Sequence, residues 1–499
     1  MSEEPFSELG HFELDPAAAE LLERAYCEGR RVVVLGRVPP PASEPYPVGM
    51  LDPDDGALVA ELEEKLARRV RPIQLNDFEV RRAIARIYER RDVAALAEIE
   101  LDAAREIRFE PDQAPSEMLA DLLSVAVRLG ATDAHIEVYK ADVDLRYRID
   151  TVLQQVTTPL SPENVSRVVN RLKVVAGLDP LERRRPQDGH LRARFREEGE
   201  ERLVDLRVST IPGRYGEDAV VRVLDPESFH LDLDELGFDE GVLARYRQLV
   251  AYPSGLVLVT GPTLSGKTNT LYATIRSLVD RQVKVVTVED PVEFEFPKVN
   301  QKSVGREMGF ADYVRAFLRQ NPDVIVVGEV RDAETAETVV RAATTGHLVL
   351  SSVHTRDAVG AIARLRALDV DDDALASMLV AVLGQRLVRL LCPACKRPGS
   401  PDPELVGLYY QEPPAHPFHE PVGCPSCRGL GYHGLSAVVE LLDVRPAIEA
   451  AIGNGKPVDA IRELAVAEGF RPLLAHALER VARGETSLAE VARRVAPPG

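Results

Sequence analysis

The chain has 499 residues, of which 45% are hydrophobic and 28% charged, and its net charge at pH 7 is −19. This length exceeds what one hydrophobic core usually holds, so the sequence predicts a soluble protein of about two to four domains. The negative charge, the lack of Trp and an aromatic content of 5% disfavour a nucleic-acid translocase, which needs clustered cations and stacking rings. No apolar run reaches about 18 residues and the N-terminus is acidic. These features predict a cytoplasmic protein that reaches a membrane only through partners.

Residues 1–108 are predicted to form one compact N-terminal α/β domain. Apolar periodicity predicts helices at 16–28, 57–69 and 77–90 and a strand at 31–35. A Pro-rich stretch at 38–47 is predicted to be a loop between these elements.

A linker at 109–115 leads to a second domain, predicted at 116–228. This domain begins with a helix at 116–130 and continues with strands at 135–137, 143–148 and 204–208. The acidic run within 194–202 is typical of a solvent-exposed hairpin tip.

The third domain is predicted at 235–499, after a second linker at 226–234. Strands alternate with helices up to residue 390, which predicts a parallel sheet covered by helices on both faces. A cysteine-bearing loop at 392–427 follows, and helices are predicted from 446 to 495.

The third domain contains a phosphate-binding motif. The apolar run 255–260 leads into residues 261–268, which match GxxxxGK[ST], and helix formers follow. The glycines let backbone N–H groups turn towards phosphates, Lys267 can neutralise the β- and γ-phosphates, and the Thr268 hydroxyl can ligate Mg²⁺. The predicted ATP-binding residues are Gly261, Pro262, Thr263, Leu264, Ser265, Gly266, Lys267, Thr268 and Asn269.

Three further predicted strands carry polar groups at their ends, and ligands of open α/β sheets collect at the carboxyl ends of strands. One strand ends in Glu289, which is predicted to support metal or water placement. Another precedes Glu329 in the layout of a Walker B strand, so Glu329 is predicted to activate the attacking water. The third is bracketed by His347 and His354. A lone His is more often structural, but two around one strand favour γ-phosphate sensing.

Four of the five cysteines form two CxxC pairs, at Cys392, Cys395, Cys424 and Cys427. Two such pairs suit a closed, structural, tetrahedral zinc site, with a redox role as the alternative. A disulfide is the poorer interpretation in a reducing cytosol. Cys27 is predicted to be a small buried apolar residue.

In this order, the motifs resemble those of the ATPases of type II secretion and type IV pilus assembly. In that family they are called Walker A, the Asp box, Walker B and the His box. The family's second N-terminal domain is also similar to this chain, at 132–137, 145–150, 185–189, 208–217 and 221–225. The resemblance implies a RecA-like P-loop motor domain with a Cys₄ zinc-bearing insertion, preceded by an α+β (PAS-like) domain and a small N-terminal α/β domain.

The resemblance also implies a function. The chain is expected to be a cytoplasmic homo-hexameric motor at an inner-membrane platform, using ATP and Mg²⁺ and carrying Zn²⁺. Cations expected near the γ-phosphate from the motor domain are Arg315, Arg319 and Arg331. Those expected from the preceding domain as it closes are Arg146, Arg148 and Arg222, for which surface ion pairs are the alternative. The first domain is expected to dock on the platform, since it lacks the repeated Arg-Leu-Gly pattern associated with cyclic di-GMP.

The chain departs from the family pattern at several positions. Leu264 and Thr151 stand where the family has glycine, and a glycine at 264 would avoid a Cβ penalty if the loop needs an unusual φ. Asn321 replaces Asp, Arg356 replaces Asn, and Leu435 replaces Arg. Type II secretion is preferred over type IV pilus assembly, because only one short, atypical domain, residues 1–108, precedes the part of the chain that resembles the family's motor. A weakly hydrolysing ring scaffold is the alternative from another class.

Overall fold

The fold is given by a computed structural model of the protein. It describes residues 15–497 except for 16–17, 20, 23, 37, 39, 41–43, 78, 81–82, 85–86, 88–97, 111–112, 230–231, 280, 306 and 413. The chain forms two compact units. The first comprises Met1–Val125, His135–Leu145 and Thr157–Arg222, and the second Ala126–Ala134, Arg146–Val156 and Val223–Gly499.

A small three-stranded sheet lies in the first unit. Its elements are α1 (Arg24–Arg30), β1 (Val32–Val34), β2 (Tyr46–Met50), α2 (Gly56–Leu66) and β3 (Val70–Gln74). The strand order is β1-β2-β3, with β1 antiparallel and β3 parallel to β2. Cys27 is buried in this core, as predicted. The helix predicted at 77–90 lies largely outside the described residues, as does part of the one predicted at 16–28.

A seven-stranded sheet follows in the chain. Its elements are β4 (Glu98–Asp102), α3 (Pro115–Arg128), β5 (Asp133–Val138), β6 (Val143–Ile149), β7 (Val152–Val156), α4 (Val165–Val175), β8 (Gln187–Glu197), β9 (Glu200–Pro212) and β10 (Glu217–Leu224). The strand order is β4-β8-β9-β10-β5-β6-β7. The acidic run forms the predicted hairpin tip, because Glu198 and Gly199 both have positive φ and match a tight turn between β8 and β9.

A buried ion pair stabilises the first unit. Lys173 on α4 is fully buried, and its Nζ donates to Glu182 O at 2.6 Å and to Glu217 Oε1 at 2.7 Å. Burying an ammonium group is costly unless it is paired and hydrogen-bonded, so these two acceptors hold α4 against the start of β10.

The second unit contains the other seven-stranded sheet. Its strands are β11 (Gly255–Thr260), β12 (Val285–Glu289), β13 (Asn300–Ser303), β14 (Val324–Val327), β15 (Leu348–Val353), β16 (Leu379–Leu391) and, after the cysteine loop, β19 (Tyr432–Asp443). The order is β13-β12-β14-β15-β11-β16-β19. All neighbours are parallel except β19, which runs antiparallel to β16 because the chain turns back after that loop.

Helices cover both faces of this sheet, as expected. They are α5 (Glu240–Leu249), α6 (Lys267–Val279), α7 (Phe310–Phe317), α8 (Ala333–Thr344), α9 (Gly360–Arg366) and α10 (Asp372–Met378). One core lies under α5 and α6, and the other under α7 to α10. β11, β12, β14 and β15 are buried along their whole length, as in parallel sheets with two covered faces. Leu233, near the end of the second predicted linker, packs in the first of these cores together with Leu236, which follows that linker.

The cysteine loop and the final helices complete the chain. The loop holds β17 (Arg397–Gly399), α11 (Pro403–Tyr409) and β18 (Phe418–Glu420), and the last helices are α12 (Pro446–Gly453), α13 (Val458–Ala467), α14 (Leu473–Ala482) and α15 (Leu488–Arg494). β17 and β18 pair antiparallel. Among the described helices, none is both long and apolar enough to cross a membrane.

Candidate nucleotide site and metal centre

The phosphate-binding loop connects β11 to the first turn of α6. Gly266 has φ +86° and Leu264 has φ +63°, so the loop passes twice through the left-handed region. The loop therefore does need an unusual φ at position 264, and leucine adopts it at a cost that the family's glycine would avoid. The loop therefore keeps a glycine-like path and delivers the N-terminus of α6 to the anion position.

Two polar side chains of the loop are available to phosphate. Lys267 Nζ donates to carbonyl oxygens, Gly261 O at 2.9 Å and Pro262 O at 3.2 Å. Desolvation lowers the pKa of Lys267 to about 8, with Glu329 opposing and Arg386 reinforcing the shift. Ser265 Oγ is buried and has no hydrogen-bond partner among the described residues. A phosphate would stabilise the lysine charge and satisfy the hydroxyl, so this cradle fits an anion.

The first turn of α6 also presents Thr268, whose side chain is exposed. A hydroxyl at this motif position is suited to Mg²⁺, a hard cation that prefers oxygen ligands. Its role as a magnesium ligand, with Asn269 beside it, stays a prediction.

A polar cluster forms at the carboxyl ends of neighbouring strands. Glu329 follows β14 and pairs with Arg331, while its Oε2 lies 3.3 Å from His354 Nε2 after β15. Arg331 also lies 3.3 Å from Asp290, which follows β12. Desolvation and then the charge of Lys267 lower the pKa of His354, although Glu329 opposes this. The structure thus brings together the carboxylate of Glu329, the neutral imidazole of His354, and the positive charges of Lys267 and Arg331.

Glu289, which is predicted to support metal or water placement, makes three hydrogen bonds within the chain. It is buried and accepts hydrogen bonds from Tyr272 Oη at 2.5 Å, from Thr287 Oγ1 and from Gln301 Nε2 at 3.2 Å. These bonds tie the end of β12 to α6, so its carboxylate acts here as a structural acceptor. A contact with metal or water stays a prediction.

The two histidines that flank β15 lie at opposite ends of that strand. His347 precedes the strand, and its Nδ1 lies 3.0 Å from Ala342 O. β15 runs parallel to β11, so its six residues place His347 about 20 Å from the edge where His354 lies. The predicted pair of γ-phosphate sensors is therefore separated, and a nucleotide contact of His347 stays a prediction.

The predicted arginines occupy several surfaces. Arg315 on α7 is exposed and pairs with Asp312 at 2.8 Å and Glu334 at 3.0 Å, while Arg319 donates to Arg315 O. The remaining ones are Arg146 and Arg148 on β6 and Arg222 on β10. Arg148 lies 3.5 Å from Asp133 in an ion pair, the alternative noted from the sequence. Nucleotide contacts of these five residues stay predictions.

Two site residues on β16 were missed from the sequence. β16 runs parallel to β11 and continues past the loop. Gln385 Nε2 donates to Ser265 O at 2.8 Å, and Arg386 donates to Gln385 O at 2.8 Å and to Arg356 O. The available signal was a polar Gln-Arg pair inside an apolar strand.

The cysteines of the two CxxC pairs come together in one cluster that could hold a metal ion. Their Sγ atoms all lie within 4.8 Å of one another, with Cys392–Cys424 at 3.9 Å and Cys395–Cys427 at 3.7 Å. Ligands about 2.3 Å from a tetrahedral zinc lie about 3.8 Å apart, whereas a disulfide is about 2.05 Å long. The N–H groups of Cys424 and Gly431 donate to Cys427 Sγ, which favours a thiolate. The donor set fits zinc.

Comparisons with known proteins agree with this geometry. A model described as type II/IV secretion system protein matches residues 110–493, and an MshEN domain model matches residues 3–94. The type IV pilus assembly ATPase PilB of Myxococcus xanthus is 36% identical over 513 residues, covering 99% of this chain and 89% of that protein. The type II secretion system protein E of Klebsiella pneumoniae is 40% identical over 447 residues, covering 88% and 87%.

A solved structure carries the same fold. The pilus retraction motor PilT with bound ADP matches with a TM-score of 0.50 and 26% identity, covering 75% of this chain and 95% of that one. The expected RecA-like fold is thus confirmed, together with the resemblance stated from the motifs. The chain belongs to the family of type II/IV secretion system proteins, the secretion ATPases.

Proposed function

We propose that the chain hydrolyses ATP and uses the energy to drive pseudopilus assembly and protein export in a type II secretion system. The observation that carries the proposal is that Glu329 lies 3.3 Å from His354 and close enough to Lys267 of the phosphate-binding loop for the two charges to interact. Relatives named type II secretion system protein E support the pathway.

Substrate binding is assigned to the loop and the start of α6. Inward-facing amides and Lys267 hold the phosphates of ATP, and the charge of the nucleotide replaces the loop carbonyls as the partner of Nζ. Mg²⁺, held through Thr268, would neutralise charge on the phosphates. Arg331 adds positive charge beside Glu329, and Arg386 adds positive charge near Lys267.

Water activation is assigned to Glu329. Its carboxylate takes a proton from the water as the water oxygen bonds to the γ-phosphorus and the bond to ADP breaks. His354, kept neutral by its lowered pKa, can hold Glu329 in place through Nε2 without neutralising it. The proton then leaves with phosphate.

Assembly and location form the other half of the proposal. The resemblance to hexameric motors supports a homo-hexamer in which Arg146, Arg148, Arg222, Arg315 and Arg319 meet nucleotides as domains close. It also supports a cytoplasmic position at the inner membrane, reached through platform proteins. A Cys₄ zinc centre would stabilise the loop beside β19.

Type IV pilus assembly is the second candidate. The relative named PilB aligns with 99% of this chain, including the N-terminal region that matches the MshEN domain. A weakly hydrolysing scaffold is the third, and it depends on Leu264 and Leu435.

The test is Mg-ATP hydrolysis across a range of protein concentrations, beside Lys267→Ala and Glu329→Gln. We expect specific activity to rise with concentration and to vanish in both variants, while Glu329→Gln still binds nucleotide. Activity no greater than that of the variants, even with a membrane partner added, would favour the scaffold. Rescue of secretion or of piliation in a deletion strain separates the two pathways.

A further inference from the structure

The side chain of Gln385 on β16 holds the phosphate-binding loop through a hydrogen bond. Gln385 is almost fully buried, with 1% of its surface exposed. Its Nε2 donates to Ser265 O at 2.8 Å, and its Oε1 accepts from Thr270 Oγ1 on α6 at 2.7 Å. Both ends of the amide are therefore used, one on the loop and one on the helix that the loop enters.

The backbone around this side chain is equally close to the loop. A Cβ at Gly266 would lie 2.7 Å from Gln385 Nε2, and a Cβ at Gly261 would lie 2.5 Å from Gln385 O. Both distances are shorter than real Cβ contacts, so β16 touches the loop at both of its glycines. The loop cannot shift towards β16, and the hydrogen bond to Ser265 O opposes movement away from it.

Leu264 gives this contact a particular importance. Its φ of +63° is in the left-handed region, which is unfavourable for a residue with a Cβ. Its side chain is 41% exposed, so packing restrains it only in part. Ser265, the next residue, carries the carbonyl that Gln385 holds. A strained conformation persists only where its surroundings determine it, and Gln385 supplies such a restraint.

We propose that Gln385 is a positioning residue that keeps Leu264 in the left-handed conformation needed for phosphate binding. The proposal rests on the nucleotide site proposed above and adds a dependence particular to this chain. With leucine at 264, removal of the Gln385 amide lets the loop relax out of the binding conformation. With glycine at 264 the same removal has less effect, because the conformation is no longer unfavourable.

The experiment is a double-mutant cycle on the full-length protein, read as the dissociation constant for Mg-ADP. The proteins are the wild type, Gln385→Met, Leu264→Gly and the double variant. Methionine nearly preserves side-chain volume and removes both hydrogen bonds. We expect Gln385→Met to weaken binding about tenfold with leucine at 264, but only about threefold with glycine there. Equal fold-changes in the two backgrounds would overturn the proposal.

Two further variants distinguish positioning from general stability. Thr270→Val removes the bond that anchors Gln385 to α6, so it should weaken Mg-ADP binding in the same direction. Tyr432→Phe is the matched control. Tyr432 lies at the start of β19, away from the loop, and the variant removes its buried hydrogen bond of 2.6 Å to Ser487. It should lower the melting temperature and leave Mg-ADP binding unchanged. Weakening by Tyr432→Phe equal to that by Gln385→Met would make the effect one of stability and overturn the proposal.

The nucleotide site itself is checked in the same series. Loss of Mg-ADP binding in Lys267→Ala supports the site on which the inference depends. A wild type that binds no Mg-ADP would overturn the proposed function, whereas a binding wild type with an unaffected Gln385→Met variant would overturn the inference alone.

Discussion

The left-handed backbone at Leu264 can be tested by comparing two substitutions at that position. Leu264→Ala keeps a Cβ at φ +63°, and Leu264→Gly removes it. Both variants lose the leucine atoms beyond Cβ. The loss of stability from removing those atoms, which belong to a residue that is 41% exposed, is therefore nearly the same in both and cancels in the comparison. The difference between the two variants therefore isolates the effect of the backbone conformation.

The magnitude follows from two opposing effects. A residue with a Cβ in the left-handed region costs about 1–2 kcal/mol, whereas glycine at an ordinary position destabilises by about 0.5–1 kcal/mol relative to alanine. The first effect is larger, so Leu264→Gly should be more stable than Leu264→Ala by about 1 kcal/mol. For a unit of this size, that difference raises the melting temperature by about 2 °C.

The assay is thermal unfolding of both variants without nucleotide, at one protein concentration. Gly407→Ala in α11 is the matched control, because a Cβ there meets nothing within 4 Å and its φ is not positive. Gly407→Ala should raise the melting temperature relative to the wild type, whereas Leu264→Ala should have a lower melting temperature than Leu264→Gly. A Leu264→Ala variant that melts at the same temperature as Leu264→Gly, or above it, would refute the reasoning.

Three other predictions concern the core, the pH response and the metal. Lys173→Met should destabilise the protein by about 3–5 kcal/mol, since it leaves the largely buried Glu217 carboxylate without its partner. Adding Glu217→Gln should recover much of this loss in denaturant unfolding. Burial lowers the pKa of His476 below its usual 6.5. As the pH drops below about 6.5, His476 therefore takes up a proton in the unfolded chain before it does so in the folded protein, and the stability falls. His476→Asn should reduce this fall in melting temperatures measured across pH. Cys424→Ser should reduce bound zinc, measured by elemental analysis, and lower the melting temperature, and an unchanged zinc content would contradict the Cys₄ assignment.

Local patterns predicted much of the fold and of the site. The loop at 261–268 needs only one strand, one turn and one helix, so its residues specify it without knowledge of the remaining chain. The hairpin at Glu198 and Gly199 is equally local, as are the two CxxC pairs. Motifs of this kind carry their geometry in their spacing.

Long-range pairing accounts for the residues that the sequence did not reveal. Gln385 reaches Ser265 across 120 positions in the chain, a contact that depends on β16 lying beside β11. Alternation of strands and helices predicts a parallel sheet but not its strand order. The separation of His347 from His354 follows from strand direction, because the two ends of a strand lie at opposite edges of a sheet. Glu289 was placed correctly at the end of its strand, but its partners come from α6 and β13.

Thr151 and Leu264, two of the positions at which the chain lacks a glycine of the family, have a common structural feature. Thr151 has φ +67° and Leu264 has φ +63°, so the side chain has changed while the backbone remains in the region that glycine favours. Each position also has a polar restraint beside it, because Arg494 donates to Thr151 Oγ1 and Gln385 donates to the carbonyl of Ser265. Loss of a glycine can be tolerated where neighbouring contacts determine the strained conformation. We therefore expect phosphate binding by this loop to depend on β16 as well as on the motif itself, so that a motif lacking its glycine still predicts a functional site.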